Sequence, residues 1–264
     1  MSLNIAFLRK NLENNLFGRH IVYHQQTEST NDEAFSLAIQ GAGEGTAVLA
    51  DSQSRGRGRH QREWYSPPGK NIYVSVILKP KINLREASQI PIVAGVAMAE
   101  TIERFYTGDI SLKWPNDVLL DDKKVCGILT QLKVSHDMIH FIVLGVGLNV
   151  NIGWEEFPED LKATASSLFM KTGTFFERED VIIILFENLA KWYKKLLTAG
   201  FEDIKAAWME KTDMIGKNVA IGCLAEVTSG RVVGIDDDGS LILINDKKEK
   251  ITVSAGDATL LKES

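Results

Sequence analysis

Cysteine is scarce in this chain, which contains only Cys126 and Cys223 among its 264 residues. The two stand in unlike sequence contexts, so they provide neither a disulfide framework nor a set of thiolate metal ligands. Free cysteine behaves as a small apolar residue and is often buried. We therefore expect both cysteines to lie in the protein core, and the sequence assigns no metal ligand.

Long apolar runs and net positive charge are also missing. The longest uninterrupted hydrophobic stretch, residues 181–186, is far shorter than the ~20 apolar residues of a membrane-spanning helix. No basic region followed by an apolar core marks the N-terminus as an export signal. The formal net charge of −5 argues against a broad basic surface for nucleic acid. These absences predict a cytoplasmic protein that does not enter a membrane.

The hydrophobic pattern changes near residue 210. Up to that point, helical spacing of apolar residues alternates with strand-like runs, and helices are predicted over residues 4–17, 86–105, 159–170, 180–197 and 201–210. Beyond it, short β-type runs are separated by turns rich in Gly, Asp and Lys. The pattern predicts an α+β fold, with a mixed-sheet domain over residues 1–210 and a small C-terminal β-barrel over residues 211–264.

A loop rich in arginine and glycine, residues 53–64, lies between two strand-like runs and is called the arginine loop below. It places four arginines within eight residues and ends at Trp64. Guanidinium groups bind carboxylate or phosphate in a bidentate manner, and glycine lets the backbone approach a ligand closely. The loop therefore suits an acid and a nucleotide together. The alternative is a solvated segment that binds nucleic acid loosely, which the short loop and the acidic chain disfavour.

Two further motifs follow strand-like runs. The sequence KWPND, residues 113–117, precedes a predicted hairpin whose returning strand carries Lys123, Lys124 and Gly127, so several cations lie near one another. The sequence GVGLNVN, residues 145–151, matches neither the dinucleotide fingerprint nor the phosphate loop. Taken singly, the first motif also fits a proline-terminated strand with solvated lysines, and the second is a weak signal.

Together with ESTN at residues 28–31, these segments resemble the biotin protein ligase, or biotin–[acetyl-CoA-carboxylase] ligase, family. The motifs ESTN, GRGRHQREW, KWPNDVLLDDKKVCGIL and GVGLNVN stand in the family's order and approximate spacing. The resemblance is strong over residues 20–155 and looser over the segment that ends in SAGDATL. It implies a catalytic domain related to lipoate ligases and a small C-terminal β-barrel. Some members begin with a helix-turn-helix domain, whereas about 25 residues precede ESTN here. We therefore expect the monofunctional type, without specific DNA binding.

The resemblance also implies contacts for individual residues. The residues expected to line the biotin site are Ser29, Thr30, Asn31 and Gln53, and those expected to fold over biotin and its adenylate are Arg57, Gly58 and Arg59. Lys124 is expected to reach the biotinyl carboxylate or phosphate, and Gly127 follows it on the same strand. The candidates for the nucleotide are Trp64 for stacking on adenine, Asn149 for an adenylate contact, and Lys113, Arg62 and Asp117 for the reacting phosphates.

The implied reaction uses ATP, biotin and Mg²⁺ to form biotinyl-5′-AMP, and then passes biotin to a lysine of a biotin carboxyl carrier domain. The biotin carboxylate and the α-phosphate repel each other, so cations between them would stabilise the transition state. The candidate catalytic cations are Arg57, Arg59, Lys113 and Lys124. Asp117 is a candidate either for orienting the acceptor lysine or for contacting Mg²⁺. The nearest alternative is a lipoate or related acyl ligase, and exposed strand edges make a homodimer a candidate assembly.

Overall fold

The computed structural model describes residues 2–223 and 226–261. Its first unit is built on a seven-stranded mixed sheet with the order β1-β2-β3-β7-β6-β5-β4. Strands β1 and β2 are parallel, and every other neighbouring pair is antiparallel. The strands are β1 (Ile21–His24), β2 (Ala47–Ala50), β3 (Ile72–Leu78), β4 (Ile110–Lys113), β5 (Asp117–Leu120), β6 (Lys123–Ser135) and β7 (Met138–Leu148).

Helices cover both faces of this sheet. They are α1 (Ile5–Asn11), α2 (Thr30–Ile39), α3 (Gln89–Ile102), α4 (Leu168–Thr172), α5 (Arg178–Ala199) and α6 (Glu202–Lys211). Helix α3 is apolar almost all round because it is buried between the sheet and helices α5 and α6. Helix α2 covers the other face, where Ala34 and Ala38 pack against Val48, Ile77 and Val143.

Local sequence explains where the elements near the site begin and turn. Ser29 ends the extended segment before α2, and its side chain accepts a hydrogen bond from the backbone of Asp32, as an N-cap does. Asp121 and Asp122 form the tight turn between β5 and β6 with φ of 45° and 64°, a left-handed conformation that Asp tolerates better than most residues. The predicted turn at this pair is confirmed.

The predicted helix over residues 159–170 is wrong. Helix α4 occupies only Leu168–Thr172, and the preceding residues form turns. The backbone N–H of Lys124 donates to the Thr164 carbonyl, and the N–H of Ser166 donates to the Lys124 carbonyl, each at 2.8 Å. The segment therefore forms a bridge to the start of β6, which a helix could not form.

The second unit is a five-stranded antiparallel sheet with the order β11-β10-β9-β8-β12. Its strands are β8 (Asn218–Cys223), β9 (Glu226–Ile235), β10 (Leu241–Ile244), β11 (Lys250–Val253) and β12 (Asp257–Leu260). Buried Trp114 packs towards it and donates its indole N–H to the Gly239 carbonyl at 3.1 Å. The predicted fold class, an α+β unit followed by a small β unit, is confirmed, whereas the domain boundary at residues 210 and 211 stays a prediction.

None of the helices within residues 2–223 and 226–261 has the length and apolarity that crossing a bilayer requires. Cys126 is fully buried, as predicted, and burial raises the pKa of its thiol. The side chain of Cys223 lies outside the part of the chain that the structure describes.

Candidate active site

The four motifs meet around one cavity of about 350 Å³. All the residues predicted for the site line this cavity, and they are Ser29, Thr30, Asn31, Gln53, Arg57, Gly58, Arg59, Arg62, Trp64, Lys113, Asp117, Lys124, Gly127 and Asn149. They come from the start of α2, the arginine loop, strands β4, β5 and β6, and the residue that directly follows β7. The individual roles given to them stay predictions, but the structure brings the whole set together.

One end of the cavity is a polar network around the first turn of α2. Gln53 Oε1 accepts hydrogen bonds from the backbone N–H and the hydroxyl of Thr30, at 2.9 and 3.1 Å. Buried Ser75, on β3, lies 2.8 Å from Thr30 Oγ1 and 2.5 Å from Asn31 Oδ1. Gly145 makes room for this arrangement, because a Cβ there would lie 2.0 Å from Asn31 Oδ1. This end holds fixed donors and acceptors for a neutral polar group.

The arginine loop folds back on itself as a narrow hairpin over the cavity. The backbone N–H of Trp64 donates to the Gly56 carbonyl at 2.8 Å, and the backbone N–H of Gly58 donates to the Arg62 carbonyl at 2.7 Å. His60 and Gln61, at the tip, have φ of 52° and 61°. This is the left-handed region, which glycine adopts more readily than other residues.

Each arginine of the loop is paired with a carboxylate. The pairs are Arg55–Glu28 at 3.4 Å, Arg57–Asp32 at 3.0 Å, Arg59–Asp257 at 3.2 Å and Arg62–Asp257 at 2.7 Å. The mutual repulsion of four cations is therefore offset by acids from α2, from the segment before it and from β12. An anionic ligand that binds these arginines has to compete with those acids.

Lys124 and Asp117 form the charged centre of the cavity. The β5–β6 hairpin brings Lys124 Nζ to 2.7 Å from Asp117 Oδ1. Lys113, on the neighbouring strand β4, is directly paired with Asp117 in the sheet register. The predicted cations and the predicted carboxylate are thus direct neighbours, a geometry that suits a substrate whose reacting groups are both anionic.

The Trp64 ring packs against two glycines, Gly127 on β6 and Gly147 on β7, which are called the glycine window below. The two are partners across the sheet. A Cβ at Gly127 would lie 2.8 Å from Trp64 Cζ3, and one at Gly147 would lie 2.4 Å from Trp64 Nε1. Lys124 Nζ lies 5.5 Å from the centre of the indole ring. The absence of side chains at these two positions therefore makes room for the indole ring of Trp64.

Asn149 holds its place in the wall through both ends of its amide. Its Oδ1 accepts from Asn71 Nδ2 at 3.3 Å, and its Nδ2 donates to the Ser166 carbonyl at 3.0 Å. An amide oxygen accepts two hydrogen bonds and an amide nitrogen donates two. Each end of the Asn149 amide can therefore form one more hydrogen bond with a ligand.

The sequence reasoning missed the contribution of the second unit. Asp257, Ala258 and Thr259, at the start of β12, line the cavity. The segment SAGDATL, which contains them, belongs to the looser part of the resemblance and gave no role to any residue. The lining also includes Phe157, Leu161, Thr164 and Ala165, from the segment that was wrongly predicted as a helix.

Comparison with known proteins agrees with both units. Residues 23–149 match the biotin/lipoate A/B protein ligase family, and residues 214–261 match the biotin protein ligase C-terminal domain. The bifunctional ligase/repressor BirA of Bacillus subtilis is 37% identical over 253 residues, which cover 96% of this chain and 78% of that protein. A biotin–[acetyl-CoA-carboxylase] ligase of Paracoccus denitrificans is 33% identical, over 83% of this chain and 91% of that protein.

The fold is likewise similar to a solved structure. The biotin protein ligase from Aquifex aeolicus in complex with biotin and ATP superposes with a TM-score of 0.79 at 30% identity. The match covers 93% of this chain and all of that one.

Proposed function

The chain belongs to the biotin protein ligase family, and we propose on this basis that it activates biotin with ATP to biotinyl-5′-AMP and transfers the biotinyl group to a lysine of a biotin carboxyl carrier domain. The observation that carries the proposal is the convergence of all four motifs on one cavity. Its polar end at Thr30 and Gln53 suits the neutral ring system of biotin, and its charged centre at Lys124 suits the carboxylate.

The first half-reaction joins two anions, and the site supplies cations where they meet. Lys124 on β6 and Lys113 on β4 lie on the two strands that flank Asp117 on β5, and the arginine loop adds Arg57 and Arg59 from above. Fixed charges that are already in place stabilise developing charge without reorganising during the reaction. We infer that these groups bring the biotin carboxylate and the α-phosphate together and stabilise the in-line transition state.

The second half-reaction requires the acceptor amine to lose a proton. Asp117 is the carboxylate beside Lys124, and it becomes available once the substrate anion takes over the lysine. We therefore assign Asp117 the task of orienting the acceptor amine and accepting its proton, as the amide bond forms and the bond from the biotinyl carbonyl to AMP breaks. The buried Cys126 thiol has a raised pKa and does not line the cavity, so it is not a nucleophile, and direct transfer to the amine needs no enzyme-bound acyl group.

Mg²⁺ is part of this proposal. Across residues 2–223 and 226–261, no group of three or more His, Cys, Asp or Glu side chains is arranged to hold a metal ion. Mg²⁺ does not need a group of this kind, because it is usually bound through one or two carboxylates together with the phosphates of its substrate. When bound with ATP, the ion would neutralise phosphate charge, and Asp117, one of the carboxylates that line the cavity, is the candidate to contact it in the first half-reaction.

The test is ATP–pyrophosphate exchange with biotin and Mg²⁺ in the absence of any acceptor protein. We expect exchange that depends on biotin and is not supported by lipoate. Equal exchange with lipoate would identify an acyl ligase of the related type instead. The absence of sequence-specific DNA binding and a homodimer through edge strands β1 or β4 stay predictions, which a gel shift and sedimentation would check.

A further inference from the structure

Ser66 connects the wall of the cavity to the base of the arginine loop. Its hydroxyl accepts a hydrogen bond from Gln53 Nε2 at 2.9 Å and donates one to the Trp64 carbonyl at 2.8 Å. The residue is buried and stands behind the residues that line the cavity. A hydroxyl that donates and accepts in this way transmits the position of one partner to the other.

The Gln53 amide is held at both ends. Its oxygen accepts from the backbone N–H and the hydroxyl of Thr30, at the start of α2, and its nitrogen donates to Ser66. The network therefore fixes which way the amide faces. An amide nitrogen carries two hydrogens, so one remains for an acceptor on a ligand in the cavity that Gln53 lines.

The base of the arginine loop packs closely against Ser66 at Gly56. A Cβ at Gly56 would lie 2.4 Å from the Trp64 carbonyl oxygen, 2.6 Å from Ser66 Oγ and 3.0 Å from Gln53 Nε2. Gly56 in turn accepts the hydrogen bond from the Trp64 N–H that begins the hairpin. Gln53, Ser66, Gly56 and Trp64 thus form one packed unit.

We propose that Ser66 is a positioning residue that couples occupation of the Gln53 end of the cavity by biotin to the stability of the arginine loop in its position over the cavity. A ligand acceptor bound by Gln53 holds the amide, the amide holds the Ser66 hydroxyl, and the hydroxyl holds the Trp64 carbonyl at the loop base. The inference rests on the proposed function, because it takes biotin as the ligand. It goes beyond that function by assigning the coupling to one residue outside the cavity.

The arginine loop contains its own reporter, since trypsin cleaves after arginine and four arginines lie within residues 55–62. Cleavage in this segment would be followed by mass spectrometry with and without saturating biotin, and biotin binding would be measured separately by calorimetry. In the unchanged protein biotin is expected to slow cleavage. In Ser66→Ala, biotin should still bind within about threefold of the parent affinity, while the protection that it confers falls by about 3- to 10-fold, the scale of one hydrogen bond.

Two further variants frame the result. Ser54→Ala removes an exposed hydroxyl from the same segment and should keep full protection. Ser66→Cys keeps a weak donor and acceptor in place and should give intermediate protection. If thermal unfolding shows that Ser66→Ala is not folded, the comparison of Ser66→Cys with the parent protein tests the proposal instead.

Full protection of the Ser66 variants at saturating biotin would overturn the coupling. Parallel loss of biotin affinity and protection would also overturn it, because Ser66 would then support binding alone. Failure of the unchanged protein to bind biotin at all would instead refute the proposed function, so the two failures are distinguishable.

Discussion

Lys124 is paired with a carboxylate of the protein itself, because its Nζ lies 2.7 Å from Asp117 Oδ1. An incoming carboxylate or phosphate has to replace Asp117 as the partner of the ammonium group. Both side chains are only partly buried, so the existing ion pair is weak enough to be exchanged. In the proposed reaction this exchange would free the Asp117 carboxylate when the first substrate binds, before the acceptor amine arrives.

We expect Lys124→Ala to lower the rate of biotinyl-AMP formation by about 100- to 1000-fold, the usual cost of removing one preorganised group that stabilises transition-state charge. The measurement is single-turnover release of pyrophosphate with biotin and ATP. Lys123→Ala is the matched control, because Lys123 directly precedes Lys124 but does not line the cavity. A rate for Lys124→Ala within threefold of that control would remove Lys124 from the chemical step.

The sequence allowed the residues that line the cavity to be predicted, but not the carboxylates with which its arginines are paired. Arginine, glycine and lysine occur in short motifs, so their chemistry was readable locally. Asp32 and Asp257 stand far along the chain from the arginines that they bind. Only the fold brings such pairs together, and nothing in a local pattern records them.

Strands β6 and β7 together contribute the glycine window to the site. Gly127 and Gly147 leave the sheet surface bare at one cross-strand pair, and the Trp64 indole occupies that bare surface. The window is therefore a property of two paired strands, and neither glycine alone would create it.

Gly147→Ala should displace the indole, because the new Cβ would lie 2.4 Å from Trp64 Nε1. If Trp64 stacks on adenine, the KM for ATP should rise by up to about tenfold, the scale of an aromatic contact, while the KM for biotin changes less. Gly222→Ala is the control, since a Cβ at that strand glycine meets nothing within 4 Å. An equal rise in both KM values would speak against the stacking role.

Helix α5 is joined to the sheet beneath the site by a buried ion pair. Arg178, at its first turn, lies 2.9 Å from Asp51 and donates to the Asn71 carbonyl at 3.1 Å. Asp51 directly follows β2 and also accepts from the Tyr23 hydroxyl at 2.5 Å. The pair thus fixes the point from which the chain enters the arginine loop.

Arg178→Met should lower the free energy of unfolding by roughly 3–5 kcal/mol, because it leaves the buried Asp51 carboxylate without its cation. Urea unfolding would measure the loss. Lys195→Met, on the same helix, breaks an exposed pair with Asp203 and should cost less than about 1 kcal/mol. Similar losses for the two variants would contradict the assignment of the buried pair as a structural anchor.

Most elements could be predicted from the sequence because their apolar periodicity is strong, as in β3 and α5. Residues 159–170 show how such reasoning fails. Their apolar spacing fits a helix, yet Thr164 and Ser166 form backbone hydrogen bonds with Lys124. A long-range backbone pairing of this kind overrides local preference, and it brings Thr164 and Ala165 into the cavity wall.

At the scale of the whole molecule, the two units build one site. Trp114, in the KWPND motif, is anchored on the Gly239 carbonyl of the second unit, and Asp257 of that unit reaches the arginine loop. The loop hairpin is therefore tethered at its far end by a carboxylate that lies outside the catalytic sheet. We therefore expect the C-terminal unit to have the task of holding the loop over the cavity.

Asp257→Asn tests that task. The Asp257 side chain is about one-quarter exposed, and its carboxylate contacts Arg59, His60 and Arg62 at once. It should therefore stabilise the position of the loop more than an isolated surface ion pair would. Removing its charge should release the loop in the ligand-free protein and speed tryptic cleavage within residues 55–62 by about 3- to 10-fold, equivalent to roughly 1 kcal/mol of tethering. Asp246→Asn, an exposed substitution in the same unit, should leave the cleavage rate unchanged.

Because the contact is electrostatic, high salt should bring the parent protein towards the behaviour of Asp257→Asn and should affect the variant less. Equal cleavage of the parent and Asp257→Asn at low salt would show that the backbone hairpin alone holds the loop.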